Sequence, residues 1–315
     1  AHTLSPPESG RPISWGVTFS SKFSKELGLD WRENFTALMR EIQPRTMRLV
    51  AYWDEIERVR GEYLFDGLDW QIQETGKNGV SVILAIGMKV PRWPECHIPP
   101  WAETLGAESR EEALRDYMMR IIERYRSYPH ITLWQIENEP FLRFGRCPDR
   151  GQEFLEKEIM LAKSADPDRQ ILITDGGEFG LWYMAAHRGD IFGTTMYRKI
   201  YPMALGKIFG VVEYPFSPDY FRVKERIVRW AIGDYHKRFI VSELQAEPWG
   251  YTHTSELSYK EQMQIFSPDY FNETLRYARA TGFDEYYLWG AEWWYWLKTK
   301  HKDDRFWEIA KNIFQ

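Results

Sequence analysis

Short apolar runs alternate with stretches of helical periodicity along the whole chain. The runs at 13–19, 46–51, 80–86, 131–137, 170–174, 190–196, 238–243 and 284–289 have strand length and strand composition. Between them, segments 31–42, 68–78, 110–125, 152–165, 218–233 and 268–281 carry apolar side chains at helical spacing, and 303–314 closes the chain in the same way. Eight strands, each followed by a helix, is the count of an α/β fold of one kind, a single (β/α)8 TIM barrel. A doubly wound sheet normally has fewer strands and a glycine-rich first turn, whereas Gly16 stands alone after Trp15. Residues 1–12 read as a flexible leader and 13–315 as one catalytic barrel. The connections 87–109, 140–151, 197–216 and 244–266 are long and follow strands, so they belong on the C-terminal side of the barrel, where active-site loops lie.

The pentad Ser-Pro-Asp-Tyr-Phe occurs at 217–221 and again at 267–271, each time opening a helix. Serine as the cap, proline at the first helical position and an acid in the first turn explain the repeat as shared capping chemistry rather than duplication.

Composition narrows the function. A formal charge of −5 and the absence of a basic run argue against a nucleic-acid surface. No apolar stretch approaches the length of a membrane span. Fifteen Trp, eighteen Tyr and eighteen Phe exceed the ordinary needs of a core, and such rings suit stacking on the apolar faces of sugars. The seven His, at 2, 97, 130, 187, 236, 253 and 301, show no metal-ligand spacing, so neither a metal centre nor a cofactor is expected. The chain opens at Ala1 without Met or a signal segment. With a carbohydrate polymer as partner, a secreted or cell-envelope location is expected, a cytoplasmic one being the alternative. Cys96 follows the third strand and Cys147 the fourth, in neighbouring loops; a disulfide between them is geometrically possible, and two free thiols are the alternative.

The candidate chemistry lies at strand ends. The run Trp134-Gln135-Ile136-Glu137-Asn138-Glu139-Pro140 ends an apolar strand in a carboxylate, an amide and a second carboxylate. Phe239-Ile240-Val241-Ser242-Glu243 ends another strand in a lone acid. Two carboxyls facing one another are what glycosidic cleavage needs. Glu139 is the candidate general acid/base, and Asn138 the candidate donor to a sugar hydroxyl. Strand alternation puts Glu137 on the same side as Glu139, below the mouth and paired with a basic residue. Glu243 is the candidate nucleophile, with Glu247 its loop-borne alternative. Arg48 and Tyr197 are candidates to hold Glu243 ionised. Trp289 is the candidate floor of the sugar subsite. Trp293 is a further candidate, and Glu292 could bind sugar hydroxyls or cap a loop. Trp93, His97, Trp101 and Trp249 are candidates on the mouth loops.

Together these residues resemble glycoside hydrolase clan A, the retaining (β/α)8-barrel glycosidases that include cellulase-like and β-galactosidase-like families. The marks are Asn138-Glu139-Pro140 at strand four, Glu243 at strand seven, Arg48 at strand two, Tyr197 at strand six and Trp289 at strand eight. The segment from Arg48 through Trp53 and Glu57, then Gly61 to Asp66, is also similar to the clan. Glu137 departs from it, standing where members often carry an apolar or small residue. The resemblance implies a retaining glycosidase for β-linked gluco- or manno-configured saccharides, in which Glu243 attacks the anomeric carbon while Glu139 protonates the departing oxygen. A carbohydrate-binding barrel without turnover and a transglycosylase with a sugar acceptor in place of water are the competing readings.

Overall fold

Eight parallel strands close into a barrel and follow one another around it in sequence order, the last pairing with the first. They are β1 (Ser14–Thr18), β2 (Thr46–Val50), β3 (Ser81–Ile86), β4 (Ile131–Ile136), β5 (Gln170–Asp175), β6 (Ile191–Met196), β7 (Arg238–Gln245) and β8 (Glu285–Trp289). The structure, a computed structural model, describes residues 12–148, 151–202 and 206–315. The expected leader lies outside them except for Pro12.

Helices follow the strands: α1 (Trp31–Ala37, extended by a π-helical turn at Leu38–Ile42), α2 (Asp66–Lys77), α3 (Ala107–Tyr125) and α4 (Gln152–Ala165). Then come α5 (Tyr183–Arg188), α6 (Pro218–Ile232), α7 (Pro268–Thr281) and α8 (Arg305–Phe314). The short α5 escapes a reading by periodicity because six residues complete fewer than two turns. The repeated pentad does open α6 and α7, and both helices end on a left-handed glycine, Gly233 and Gly282. The caps differ in detail. Ser267 accepts a hydrogen bond from the Tyr270 amide, whereas Ser217 makes no side-chain cap.

By packing, the chain divides into two compact units. One comprises 45–176 and 180–193, and so carries β2 to β5. Its interior holds Ile72, Leu84, Ile86, Tyr117, Ile121 and Trp134, all fully buried. The other runs through Pro44 and continues as 177–179 and 194–315, and so carries β1, β7 and β8. Phe35, Ile240, Phe271, Leu288, Trp294 and Phe306 are fully buried there. Trp53, Trp134, Trp182, Trp293, Trp294 and Trp307 are among the largest fully buried side chains. Much of the aromatic surplus is therefore core, which corrects its reading as sugar-stacking surface. No helix among the described residues is long and apolar enough to cross a membrane.

Cys96 and Cys147 form a disulfide, with Cα atoms 5.2 Å apart. It ties the connection after β3 to the connection after β4, and so excludes the two-free-thiols alternative. The bridge spans a sequence separation of 51 residues. Closing a loop of that length removes about 4 kcal/mol of chain entropy from the unfolded state. Reduction, or Cys96→Ser, should therefore lower the Tm by several degrees in circular-dichroism melts with and without dithiothreitol. An unchanged Tm would show that the bridge contributes nothing.

Candidate active site

In the unit carrying β2 to β5, the site is built around a charge taken fully out of water. Arg48 in β2 is fully buried. Its Nε donates to Gln135 Oε1 at 2.7 Å, and its Nη2 to Asn138 Oδ1 at 2.6 Å. Asn138 Oδ1 also accepts from Gln135 Nε2 at 3.2 Å and from the Thr174 hydroxyl at 3.3 Å. Its Nδ2 donates to Glu95 Oε2 at 3.4 Å. A buried guanidinium is tolerable only where its donors are met, and two amide oxygens beside one strand end take two of them. Asn138 thus stands at the centre of an internal network, while Gln135, Glu95 and Thr174 enter the site unforeseen. Gln135 did leave a signal, as a polar residue inside an otherwise apolar strand.

The backbone past β4 breaks the alternation assumed for a regular strand. β4 ends at Ile136, and both Glu137 and Glu139 adopt left-handed conformations, with φ of 57° and 44°. Each such non-glycine residue costs about 1–3 kcal/mol and persists only where its surroundings hold it. They do hold it. The Glu137 carboxylate accepts the Met88 and Lys89 amides at 2.8 and 2.7 Å. It therefore caps a loop backbone, a contact that strand alternation does not foretell. Gly87 permits this approach: at φ 136°, an added Cβ would stand 2.6 Å from Glu137 Oε1. The Glu139 amide donates to Thr174 Oγ1 at 2.8 Å, and its carbonyl accepts Lys89 Nζ at 2.9 Å. The Glu139 side chain is 7% exposed.

In the other unit, Glu243 sits inside β7, whose pairing continues to Gln245. Val241 pairs with Tyr286 and Leu244 with Leu288, so β7 carries one residue more than β8 across that interval. The extra residue is a bulge, a device that re-aims side chains. Glu243 is buried, and its Oε2 accepts the Tyr197 phenol at 3.0 Å. The Tyr197 ring meets Trp249 edge-on, with centroids 4.9 Å apart. The Tyr197 amide donates to Glu178 Oε1 at 2.9 Å. Burial pushes the Glu178 carboxyl up to about 8, against the opposing pull of its backbone hydrogen bonds and Lys224. Sequence offered no pointer to Glu178 beyond the glycines before it.

The remaining candidates separate. Trp289, at the end of β8, donates its indole N–H to Glu247 Oε1 at 2.8 Å, so Glu247 anchors an aromatic side chain. Trp93 is 38% exposed, beside Phe144 and beneath the Arg146 guanidinium. Trp249 is half-buried. Three candidates are deeply buried. Trp293 is fully buried against Phe266 and Phe306, with its indole N–H on Gln262. Glu292 is fully buried and accepts the Ser20 amide, which makes it a loop cap. His97 is 1% exposed, edge-on to Tyr52 and bonded through Nε2 to the Arg92 carbonyl. Trp53 donates to the Glu57 carboxylate and Trp101 to the Glu57 carbonyl, so the segment after β2 is tied to the connection after β3.

No protein-family model matches the chain. Among solved structures it is similar to the β-galactosidase of the Antarctic haloarchaeon Halorubrum lacusprofundi, with a TM-score of 0.61 and 16% identity over 96% of this chain and 57% of that one. It is similar to xylanase 10B of Thermotoga petrophila RKU-1, with a TM-score of 0.56 and 17% identity over 88% and 82% of the two chains. It is also similar to the exo-β-1,4-mannosidase Op5Man5 of Opitutaceae bacterium strain TAV5, with a TM-score of 0.61 and 14% identity over 91% and 54%. The chain spans little more than half the length of the β-galactosidase and the mannosidase. What these likenesses establish is the shared (β/α)8 barrel fold.

Glu178 makes stability depend on pH. Its carboxyl ionises at about 4.3 when unfolded and at about 8 when folded. Below both values it is protonated in either state. Between them only the unfolded state releases the proton, so stability falls as pH rises through that window. Glu178→Gln removes this titration. Its Tm relative to the parent should rise between about pH 4.5 and pH 8. A difference that stays constant in paired melts at the two pH values would contradict the assignment.

Proposed function

We propose that the chain is a retaining β-glycoside hydrolase, with Glu139 as general acid/base and Glu243 as nucleophile. What carries the reading is that both acids stand toward the C-terminal ends of barrel strands, β4 and β7, the end at which barrel enzymes do their chemistry. The fold-level neighbours support it, being a β-galactosidase, a xylanase and an exo-β-1,4-mannosidase. Each of those activities is a glycosidase, and such chemistry requires two carboxyls in different protonation states.

The Tyr197 phenol donates to Glu243 Oε2 and so fixes the direction of that carboxylate. An ionised Glu243 attacks the anomeric carbon while Glu139 gives its proton to the departing oxygen. The glycosyl ester removes the charge from Glu243. Glu139, now a carboxylate, takes a proton from water, and the water's oxygen displaces Glu243 with the anomeric configuration restored. The substrate is a β-linked saccharide of gluco or manno configuration, with Trp289 under the ring at the cleaved bond and Trp93 and Trp249 at outer positions. Asn138, oriented by Arg48, presents its amide to a hydroxyl next to that bond. The Cys96–Cys147 bridge favours an oxidising, extracytoplasmic location.

Purified protein should release aryl alcohol from an aryl β-glucoside or β-mannoside, and nuclear magnetic resonance should show the β-anomer of the sugar first. Glu139→Gln and Glu243→Gln should each lower kcat on a poorly activated substrate by at least roughly 1,000-fold while sugar binding persists. Full turnover in either variant, or an α-anomer as first product, would overturn the assignment.

A further inference from the structure

We propose that Glu178 is a positioning residue for the nucleophile, setting Tyr197 against Glu243 through the Tyr197 backbone. The inference rests on the glycosidase reading above and adds to it a residue that never touches substrate.

The connection is continuous within one compact unit. Tyr197 is the first residue beyond β6. Its amide is buried with it and needs an acceptor, and Glu178 Oε1 supplies one at 2.9 Å. From that fixed point the side chain reaches Glu243 Oε2 with its phenol at 3.0 Å. Trp249 closes on the ring from its edge. Fixing the backbone at one end and the ring's flank at another leaves the hydroxyl little freedom.

Glu178 is itself held at both sides. The Gly177 amide donates to Thr195 Oγ1 at 2.8 Å. The chain passes so close that an added Cβ on Gly177 would lie 1.9 Å from the Thr195 carbonyl oxygen, so only glycine allows the approach. On the opposite side α6 reaches over. Lys224 Nζ donates to the Gly177 carbonyl at 2.6 Å, and the Tyr220 hydroxyl donates to the Glu178 carbonyl. The segment 177–179 is thereby clamped between α6 and the end of β6.

A carboxyl in this place has a reason to be there. Glu178 is 7% exposed, and burial holds its pKa near 8, so at neutral pH it is largely uncharged. Its neighbours on the other elements are Lys224, Tyr214, Tyr220 and Tyr277; its ionised form would raise the last three phenols further. An uncharged acid accepts the Tyr197 amide without placing a second negative charge next to the Tyr197–Glu243 pair.

The test uses the full chain and the substitutions Glu178→Met and Glu178→Gln. Methionine keeps the buried volume and removes the acceptor; glutamine keeps the acceptor and removes the titration. Glu178→Met should lower kcat on an aryl β-glycoside roughly 10- to 100-fold with KM little changed, the loss expected when one buried hydrogen bond is broken. Glu178→Gln should restore kcat to within roughly threefold of the parent. In the Tyr197→Phe background, Glu178→Met should cost little more, because the hydroxyl it positions is gone. Crystal structures of the two Glu178 variants should show the Tyr197 phenol displaced from Glu243 in Met and seated in Gln. Losses that multiply in the double variant, or a Tyr197 phenol still on Glu243 in Glu178→Met, would overturn the proposal. A parent without turnover would sink the glycosidase reading alone, since the crystallographic comparison does not depend on activity.

Discussion

The burial of Arg48 constrains everything beside the end of β4. A guanidinium removed from water must find carbonyl-type acceptors, and Gln135 in β4 and Asn138 just past it provide them from two strands along the barrel. Asn138 is thereby fixed, with Thr174 and Gln135 on the same oxygen. Glu137 and Glu139 flank it in left-handed conformations that a free chain would abandon. Buried hydrogen bonds to Met88, Lys89 and Thr174 offset that cost. The proposed acid is therefore placed by a network whose centre is an asparagine and whose source of order is an arginine two strands away, in β2.

Strands and helices were legible because burial imposes periodicity. The strand runs agree with the structure to within one or two residues, and helices α4 and α7 have the predicted bounds. What periodicity could not reveal is short or irregular. Helix α5 completes too few turns to show a pattern. The conformations at Glu137 and Glu139 are non-regular by nature, and a period-two reading misdirects both.

The residues at the site were legible to differing degrees. The sequence points to Tyr197 as a donor to Glu243, and it makes that hydrogen bond. Arg48 is expected beside Glu243, and its bonds to Gln135 and Asn138 are a further task that the sequence pattern does not record. Trp293, Glu292 and His97 share a residue type with sugar contacts, but residue type does not reveal depth, and all three are buried. Glu178 stayed hidden because its importance comes from a backbone amide far away in sequence, which no side-chain pattern records.

The bulge in β7 has a consequence for what this chain can tolerate. Removing one residue between Val241 and Leu244 would let β7 run in even step with β8, as a tidier ladder. The same deletion would swing the carboxylate of Glu243 to the far side of the strand and leave the phenol of Tyr197 pointing at nothing. Regular pairing and a usable acid are thus alternatives along this stretch, and the irregular strand is the one that keeps the acid in reach.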